Sequence, residues 1–362
     1  MLFKNIVLLV LCTSATFLLS TSLLAQNNAD NQFRIIPYQQ TADTLRVSDK
    51  FVSESQDIAY NPMNLLNLND EFIIVKDMRP NNFFTTIKWS DSGSFEVLYT
   101  WGRESRGPES DEFATFPFHS YSSDSTLITA EPMIGVLRHI EISESEPILL
   151  KRLQVSINNS LGSLNRPIPV SDSLLFVIND MFIEMDHNLD SESHEWAAVN
   201  PQTGELLFRF GKYPGDGYKN KDMFGWDFYT LGGISNPRNN RFASFYIGQN
   251  AFKIFDHHGT ELHAVKVDDE LTNPQTLFNS ITEKSIRTPN WADDEFIFTI
   301  NYQHELPWLE VWTWDGELHF AAPFDLPVYR VTVSRKHRKM IGVSSEFENK
   351  LLIWDLDNIL PR

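Results

Sequence analysis

The sequence is almost without cysteine. Its single one, Cys12, lies inside an apolar leader, so the chain left after removal of that leader has no disulfide, no thiolate metal centre and no thiol nucleophile. Basic residues are scarce as well. Thirty Lys and Arg face 48 Asp and Glu, a formal charge of −18, and no dense basic patch opposes it. Such a surface repels phosphate backbones, which argues against a nucleic-acid partner. After Leu24 no apolar run reaches the length of a bilayer span, so no transmembrane span is expected in the remaining chain. No Gly-x-Ser-x-Gly elbow, phosphate loop or dinucleotide fingerprint occurs, and no residue is assigned a catalytic role.

The leader itself has the layout of a secretory signal: Lys4, an apolar stretch from Ile6 to Leu24, and small Ala25 before Gln26-Asn27-Asn28. An uncleaved anchor is the alternative, and Thr13, Ser14, Thr16, Ser20, Thr21 and Ser22 make the stretch a poor span. Residues 1–25 are therefore expected to be a signal peptide and 26–362 a single exported domain, periplasmic or extracellular. Leu11 before Cys12 does not fit a lipid-attachment site.

Aromatic residues, in contrast, are plentiful: 27 Phe and 9 Trp, the material of strand cores. They recur around one hairpin. Ile254-Phe255-Asp256-His257-His258-Gly259-Thr260-Glu261-Leu262 brings an apolar strand to a turn with Asp and Gly and starts a second strand directly. Val311 to Leu318, Val199 to Leu206 and Ile87 to Phe95 repeat it, with degenerate copies at Ile140 to Leu150 and Leu352 to Asp357. Turn centres at Gly93, Ser145, Gly204, Gly259, Gly316 and Asp357 are spaced by 52, 59, 55, 57 and 41 residues, each interval holding about four strands. A short apolar strand precedes every hairpin, for example Phe72 to Val75 and Phe296 to Thr299, and a weaker one lies upstream of it. This rhythm predicts an all-β, six-bladed β-propeller of four-stranded antiparallel blades. An N-terminal strand, Phe33–Ile36 or Thr44–Val47, would supply the outermost strand of the last blade and leave no open edge. Two β-sandwiches are the competing architecture, but sandwiches need no such regular hairpin spacing.

Trp101-Gly102-Arg103-Glu104-Ser105-Arg106-Gly107-Pro108-Glu109-Ser110-Asp111-Glu112-Phe113 resembles a pattern of the TolB-like six-bladed propellers exported by bacteria of the Bacteroides kind: glycine, a basic residue, then Gly-Pro, an acidic residue and Phe. Phe210 to Phe224 looks like a worn second copy, with Pro214 and Gly215 in inverted order. The resemblance implies the propeller and export. It departs from the family's many lipoproteins in lacking the lipid-attachment cysteine, and it implies little about biochemistry.

In such a blade, the loops between second and third strands and the links between blades share one face of the disc. Every long connection of this chain falls there, including 77–84, 102–115, 179–195, 211–228 and 301–308. Long loops on a rigid scaffold are where binding residues collect. The candidate ligand-binding set on this face is Arg79, Arg103, Arg106, Lys212, Tyr213, Asp216, Trp226, Tyr302 and His304, with His187 nearby.

Metal motifs are weak. Asp186 to Glu192 alternates oxygen ligands like a calcium loop, yet Ser191 replaces the glycine and Ala197 stands where the closing Glu belongs. His257, His258 and His263 have no carboxylate at a metal-site spacing, and turn polarity accounts for the first two. The Trp-Asp pairs at Trp314-Asp315 and Trp354-Asp355 lack the Gly-His partner and the spacing of WD repeats. Two functions from different classes follow. The first is a non-catalytic binding or protein-interaction module of the bacterial cell envelope, needing no cofactor and holding a protein or saccharide ligand. The alternative is a metal-dependent propeller hydrolase or lyase, acting on a sugar lactone or similar small substrate, with a divalent cation at the tunnel. The first strands offer that cation Asn64, Asn67, His119, Asp172, Asn236 and Asn290.

Overall fold

The computed structural model of this protein describes residues 33–360 apart from 53–61, 156–166, 179–193, 213–230, 269–286 and short breaks at 80, 91–93, 106, 108, 110, 116, 118, 124–125, 132–133, 172, 237, 247–249, 303–304, 345–346 and 348–349. The hairpin rhythm becomes six four-stranded antiparallel blades. Two short strands come first, β1 (Arg34–Pro37) and β2 (Asp49–Val52). Blade 1 comprises β3 to β6, at Pro62–Leu68, Phe72–Asp77, Phe84–Trp89 and Phe95–Trp101. A parallel two-stranded ribbon follows, β7 (Arg103–Glu104) with β8 (Glu112–Phe113). Blade 2 holds β9 to β12, at His119–Ser123, Thr126–Glu131, Val136–Ile142 and Pro147–Gln154. Blade 3 holds β13 to β16, at Ile168–Ser171, Leu174–Ile178, His194–Val199 and Leu206–Lys212. Blade 4 holds β17 to β20, at Leu231–Asn236, Arg241–Tyr246, Ala251–Asp256 and Glu261–Asp268. Blade 5 holds β21 to β24, at Arg287–Ala292, Phe296–Asn301, Trp308–Thr313 and Leu318–Pro323. Blade 6 has β25 to β27, at Arg330–Ser334, Lys339–Val343 and Lys350–Asp355, and β2 as its fourth strand. The first strands touch in the order β3, β9, β13, β17, β21, β25 and again β3, which closes the ring.

The second strand of each blade is apolar because both its faces are covered. In β4, Ile73 and Val75 pack towards blade 6 with Ile341, Val343 and Leu351, while Phe72 and Ile74 pack towards blade 2 with Leu127 and Ile140. Alternation of side chains across a strand thus serves two cores at once. Each such fully buried side chain contributes roughly 1.5–3 kcal/mol. Hairpin tips also lean on the preceding blade. A Cβ at Gly259 would lie 2.5 Å from Phe210 Cβ, and one at Gly316 would lie 2.6 Å from Val265 Cγ2. Both glycines have positive φ, +84° and +76°, so the turn and the close approach demand the same residue.

Two expectations are corrected here. Neither Phe33–Ile36 nor Thr44–Val47 completes blade 6; Asp49–Val52 does, antiparallel to β27. The earlier segments cover other blades. β1 adds a fifth, parallel strand to β20 of blade 4, and Leu45 bridges to Phe324 at the edge of blade 5, its N–H donating to the Pro323 carbonyl at 2.8 Å. Their apolar side chains explain the placement: Ile36 and Tyr38 pack on the core shared by blades 4 and 5, and Leu45 is buried with Phe324 and Phe320. Residues 33–52 therefore run as a strap over the outer edges of blades 4, 5 and 6. Likewise, Asp357 centres no hairpin. Leu356–Asn358 forms a short 3-10 turn that packs Leu356 and Leu360 into the last blade's core.

Candidate functional site

Strand direction places the connections from second to third strands and the blade-to-blade links on one face, as the sequence predicts, and the a-to-b turns and Asp-Gly hairpins on the other. The short-loop face is a belt of staples between neighbouring blades. Asn67 donates to the Val333 carbonyl at 2.9 Å, Arg335 bonds Asp293, and Asn236 donates to Asp294 at 3.1 Å.

Beneath the long-loop face the polar groups are buried charges. The third residue of the third strand is charged and buried in three blades: Arg138, Lys253 and Glu310. Arg138 meets Glu131 at 3.0 Å and stacks over Phe113 at 4.9 Å. Lys253 reaches Glu195 of blade 3 at 3.2 Å, and the Tyr246 hydroxyl donates to the same carboxylate oxygen. The other oxygen of Glu195 is buried with no hydrogen bond, and burial pushes the carboxyl up to about 7 against the pull of Lys253. Glu310 is the best satisfied. Arg287 donates to both its oxygens, and Asn301, Thr299 and Trp312 add bonds of 2.8, 3.1 and 3.1 Å. Burial alone would raise this carboxyl; the Arg287 charge and these donors outweigh it and hold it below the usual carboxylate range.

Lys76, the fifth residue of β4, is also fully buried, and burial first, then repulsion from Arg330, lowers its amine to about 7. A lysine whose folded pKa lies below its unfolded value of 10.5 penalises folding in full below pH 7, and the penalty fades as pH rises to 10.5. Lys76→Met is therefore expected to raise the urea midpoint most at pH 6, with a gain that shrinks towards pH 10. A gain that grows with pH would contradict this assignment.

Of the candidate residues, Arg106, Tyr213, Asp216, Trp226 and His304 lie outside the described residues, as do His187 and the whole Asp186–Glu192 segment. The other four sit on the long-loop face but on blades 1, 3 and 5. Arg79 pairs with buried Asp77 at 2.6 Å. Arg103 is held by carboxylates of its own link, donating to Glu109 at 2.9 Å and Glu112 at 3.1 Å, with Asp111 at 3.4 Å. The described residues of this link thus hold one another, and Phe113 anchors its end against Phe84 and Trp101. Lys212 ends β16, and its carbonyl accepts a bond from Lys253 at 2.6 Å. Tyr302 leads the blade 5 loop, and its hydroxyl donates to the Tyr329 carbonyl at 2.6 Å.

Tyr302 leads to a residue absent from the candidate set. Arg330, the first residue of β25, donates to the Met63 carbonyl at 3.1 Å, the Tyr329 carbonyl at 2.9 Å and the Tyr302 hydroxyl at 3.4 Å. It joins blades 5, 6 and 1 at the inner rim. Arg287 opens β21 of blade 5 in the same way, so an arginine starting two first strands was a signal available in the sequence.

Of the tunnel donors, Asp172 and the His119 side chain lie outside the described residues, and the four asparagines each serve partners of their own. Asn64 accepts from the Leu65 N–H, Asn67 serves Asp70 and Val333, Asn236 serves Asp294, and Asn290 bridges Thr288 and Val331. Among the described residues no three of His, Cys, Asp and Glu stand close enough to share a metal ion. The His257 ring lies against the Arg241 carbonyl at 3.1 Å and the Ser235 hydroxyl at 3.3 Å, which anchors its turn.

No family model matches the sequence, and no curated protein matches it. Solved structures do. A member of the DUF4221 family from Bacteroides vulgatus is 12% identical over 86% of this chain and 97% of that one, with a TM-score of 0.60. A "putative exported protein" from Bacteroides fragilis is 9% identical over 89% and 99%, with a TM-score of 0.52. This chain shares their fold. A gluconolactonase from Xanthomonas campestris superposes less closely, 11% identical over 86% and 91% with a TM-score of 0.49, and carries no argument about activity. Among the described residues no helix is long and apolar enough to cross a membrane.

Proposed function

We propose that this protein is an exported, non-catalytic binding module of the cell envelope, which holds a protein or saccharide partner on its long-loop face. The observation that carries the reading is the inner rim of that face. There Arg330 and Tyr302 join three blades beside exposed Met63 and Tyr329, a mixed polar and apolar surface suited to recognition. A metal-dependent hydrolase or lyase would need first-strand donors aimed at one point, and the described asparagines spend their amides within and between blades. The leader and the likeness to a protein described as exported support the compartment.

Two measurements test the proposal. A photo-crosslinking residue placed at Tyr302 is expected to give adducts in cells, and one placed at His258 on the opposite face is expected to give none; adducts from position 258 alone would sink the choice of face. Elemental analysis, with melting curves over calcium, magnesium, manganese and zinc, is expected to find no stoichiometric ion and no shift. A bound ion with a clear rise in melting temperature at micromolar metal would overturn the non-catalytic reading.

A further inference from the structure

On the loops and the three inner strands, five arginines are described on or just beneath the long-loop face: Arg79, Arg103, Arg138, Arg287 and Arg330; Arg152, opposite Arg138, lies exposed on the outer strand of blade 2. Four of them pair with a carboxylate, on Asp77, Glu109 with Asp111 and Glu112, Glu131, and Glu310 respectively. Arg330 differs. Its three hydrogen bonds go to two backbone carbonyls and a neutral hydroxyl, and no carboxylate among the described residues ion-pairs with it.

Strand register explains the difference. Arg287 pairs with Asn301 across blade 5, and Glu310 lies two residues into the third strand from the partner of Asn301. The corresponding position in blade 6, counted from Arg330 through Val343, is Ile353. An apolar residue thus stands where the neighbouring blade keeps its acid, and Arg330 lies over the rim instead of turning into the sheet. Its Nε and Nη1 are fixed by their acceptors, while Nη2 makes no hydrogen bond among the described residues. Lys76 of the adjacent blade is within Coulombic reach of Arg330, whose charge helps to lower its amine. Met63 and Tyr329, whose carbonyls hold the guanidinium, are 38% and 41% exposed, so both neighbours of the rim arginine present accessible surface.

We infer that Arg330, held in place by the Tyr302 hydroxyl and two backbone carbonyls, receives the carboxylate of an acidic ligand whose apolar body lies on Met63 and Tyr329, at the inner rim between blades 5, 6 and 1. This rests on the binding-face reading above and names the chemistry that the face selects. A prepositioned guanidinium with a free N–H supplies a charge-assisted bond, and the exposed side chains supply contact area.

The test uses the mature chain and small probes: benzoate, the uncharged benzamide of the same shape, and phenyl phosphate. Titration calorimetry is expected to give benzoate a dissociation constant in the range of about 1–10 mM, near the level one good contact supports, and benzamide at least about tenfold weaker. Phenyl phosphate separates a general anion preference from a carboxylate one: binding as tight as benzoate widens the ligand class to organic anions and overturns the carboxylate assignment. Arg330→Gln is expected to abolish the difference between benzoate and benzamide, and Arg330→Lys to keep part of it. Should Arg330→Gln melt too early to titrate, the Nε–H resonance of Arg330 in the parent protein still decides; it should move with benzoate and stay still with benzamide. Equal affinities for benzoate and benzamide, or a benzoate affinity unchanged in Arg330→Gln, would overturn the inference. Neither result touches the crosslinking outcome at Tyr302, so the rim site and the binding face fail separately.

Discussion

Glu310→Leu is expected to destabilise the protein by about 3–5 kcal/mol, because it leaves the buried Arg287 guanidinium without its counter-charge. Five hydrogen bonds converge on this carboxylate from Arg287, Asn301, Thr299 and Trp312, and all four donors are themselves buried. The Asn250 side chain, at 3.2 Å from Nη1, and the Trp312 ring, 5.4 Å from Cζ, are neutral and do not replace that charge. The paired change Arg287→Met with Glu310→Leu should recover most of the loss, since an apolar pair of similar volume is often neutral where a broken ion pair is not. Urea midpoints of the two variants measure this. A single variant within about 0.5 kcal/mol of the parent would place Glu310 among ordinary surface positions and contradict its burial.

Starting the chain at residue 53 is expected to have the second large effect. It removes β2, uncovers the whole edge of β27, and takes Tyr38 and Leu45 out of the outer grooves of blades 4 and 5. An open edge beside a blade that depends on it favours pairing between molecules. The shortened chain should lose the single cooperative melting transition and run as aggregates on size exclusion. A chain starting at residue 39 keeps β2 and the Leu45 bridge and loses β1 and Tyr38, so it should stay monodisperse with a lower melting temperature. If the chain starting at residue 53 melts as the parent does, the ring does not need its strap.

Much of this architecture can be read from local chemistry. Gly259 and Gly316 mark hairpins because a positive φ is a property of the turn itself, and the second strands are apolar because two cores meet on them. What local chemistry hides is pairing at a distance. Asp49-Lys50-Phe51-Val52 looks half polar, so Phe33–Ile36 and Thr44–Val47 look like better closing strands; only the position of β27 decides among them. The candidate site suffers in the same way. Arg79 and Arg103 stand on the long connections of blade 1 and draw attention, yet carboxylates close at hand in the chain neutralise them. Arg330 hides at the start of a strand, and what sets it apart is Ile353 in place of an acid, visible only when blades are aligned by register. An alignment of the motifs Leu309-Glu310-Val311 and Leu352-Ile353-Trp354 beneath their first-strand arginines would have found it.

The strap also sets a clock. Ser48 and Ile353 meet across 305 positions, with the hydroxyl and the N–H of Ser48 both donating to one carbonyl at 2.8 Å. Closing a loop of that length costs about 5 kcal/mol of chain entropy before any contact repays it, so this pairing belongs to the late, slow part of folding. Blades 1 to 3 are built from neighbouring stretches and can assemble earlier. Contacts made after the transition state slow unfolding rather than speed folding, and a strap that closes last is expected to act in that way. Once blade 6 is complete, its outer strand and its third strand come from opposite ends of the polypeptide. The lifetime of the native ring is then expected to follow how often that one blade opens.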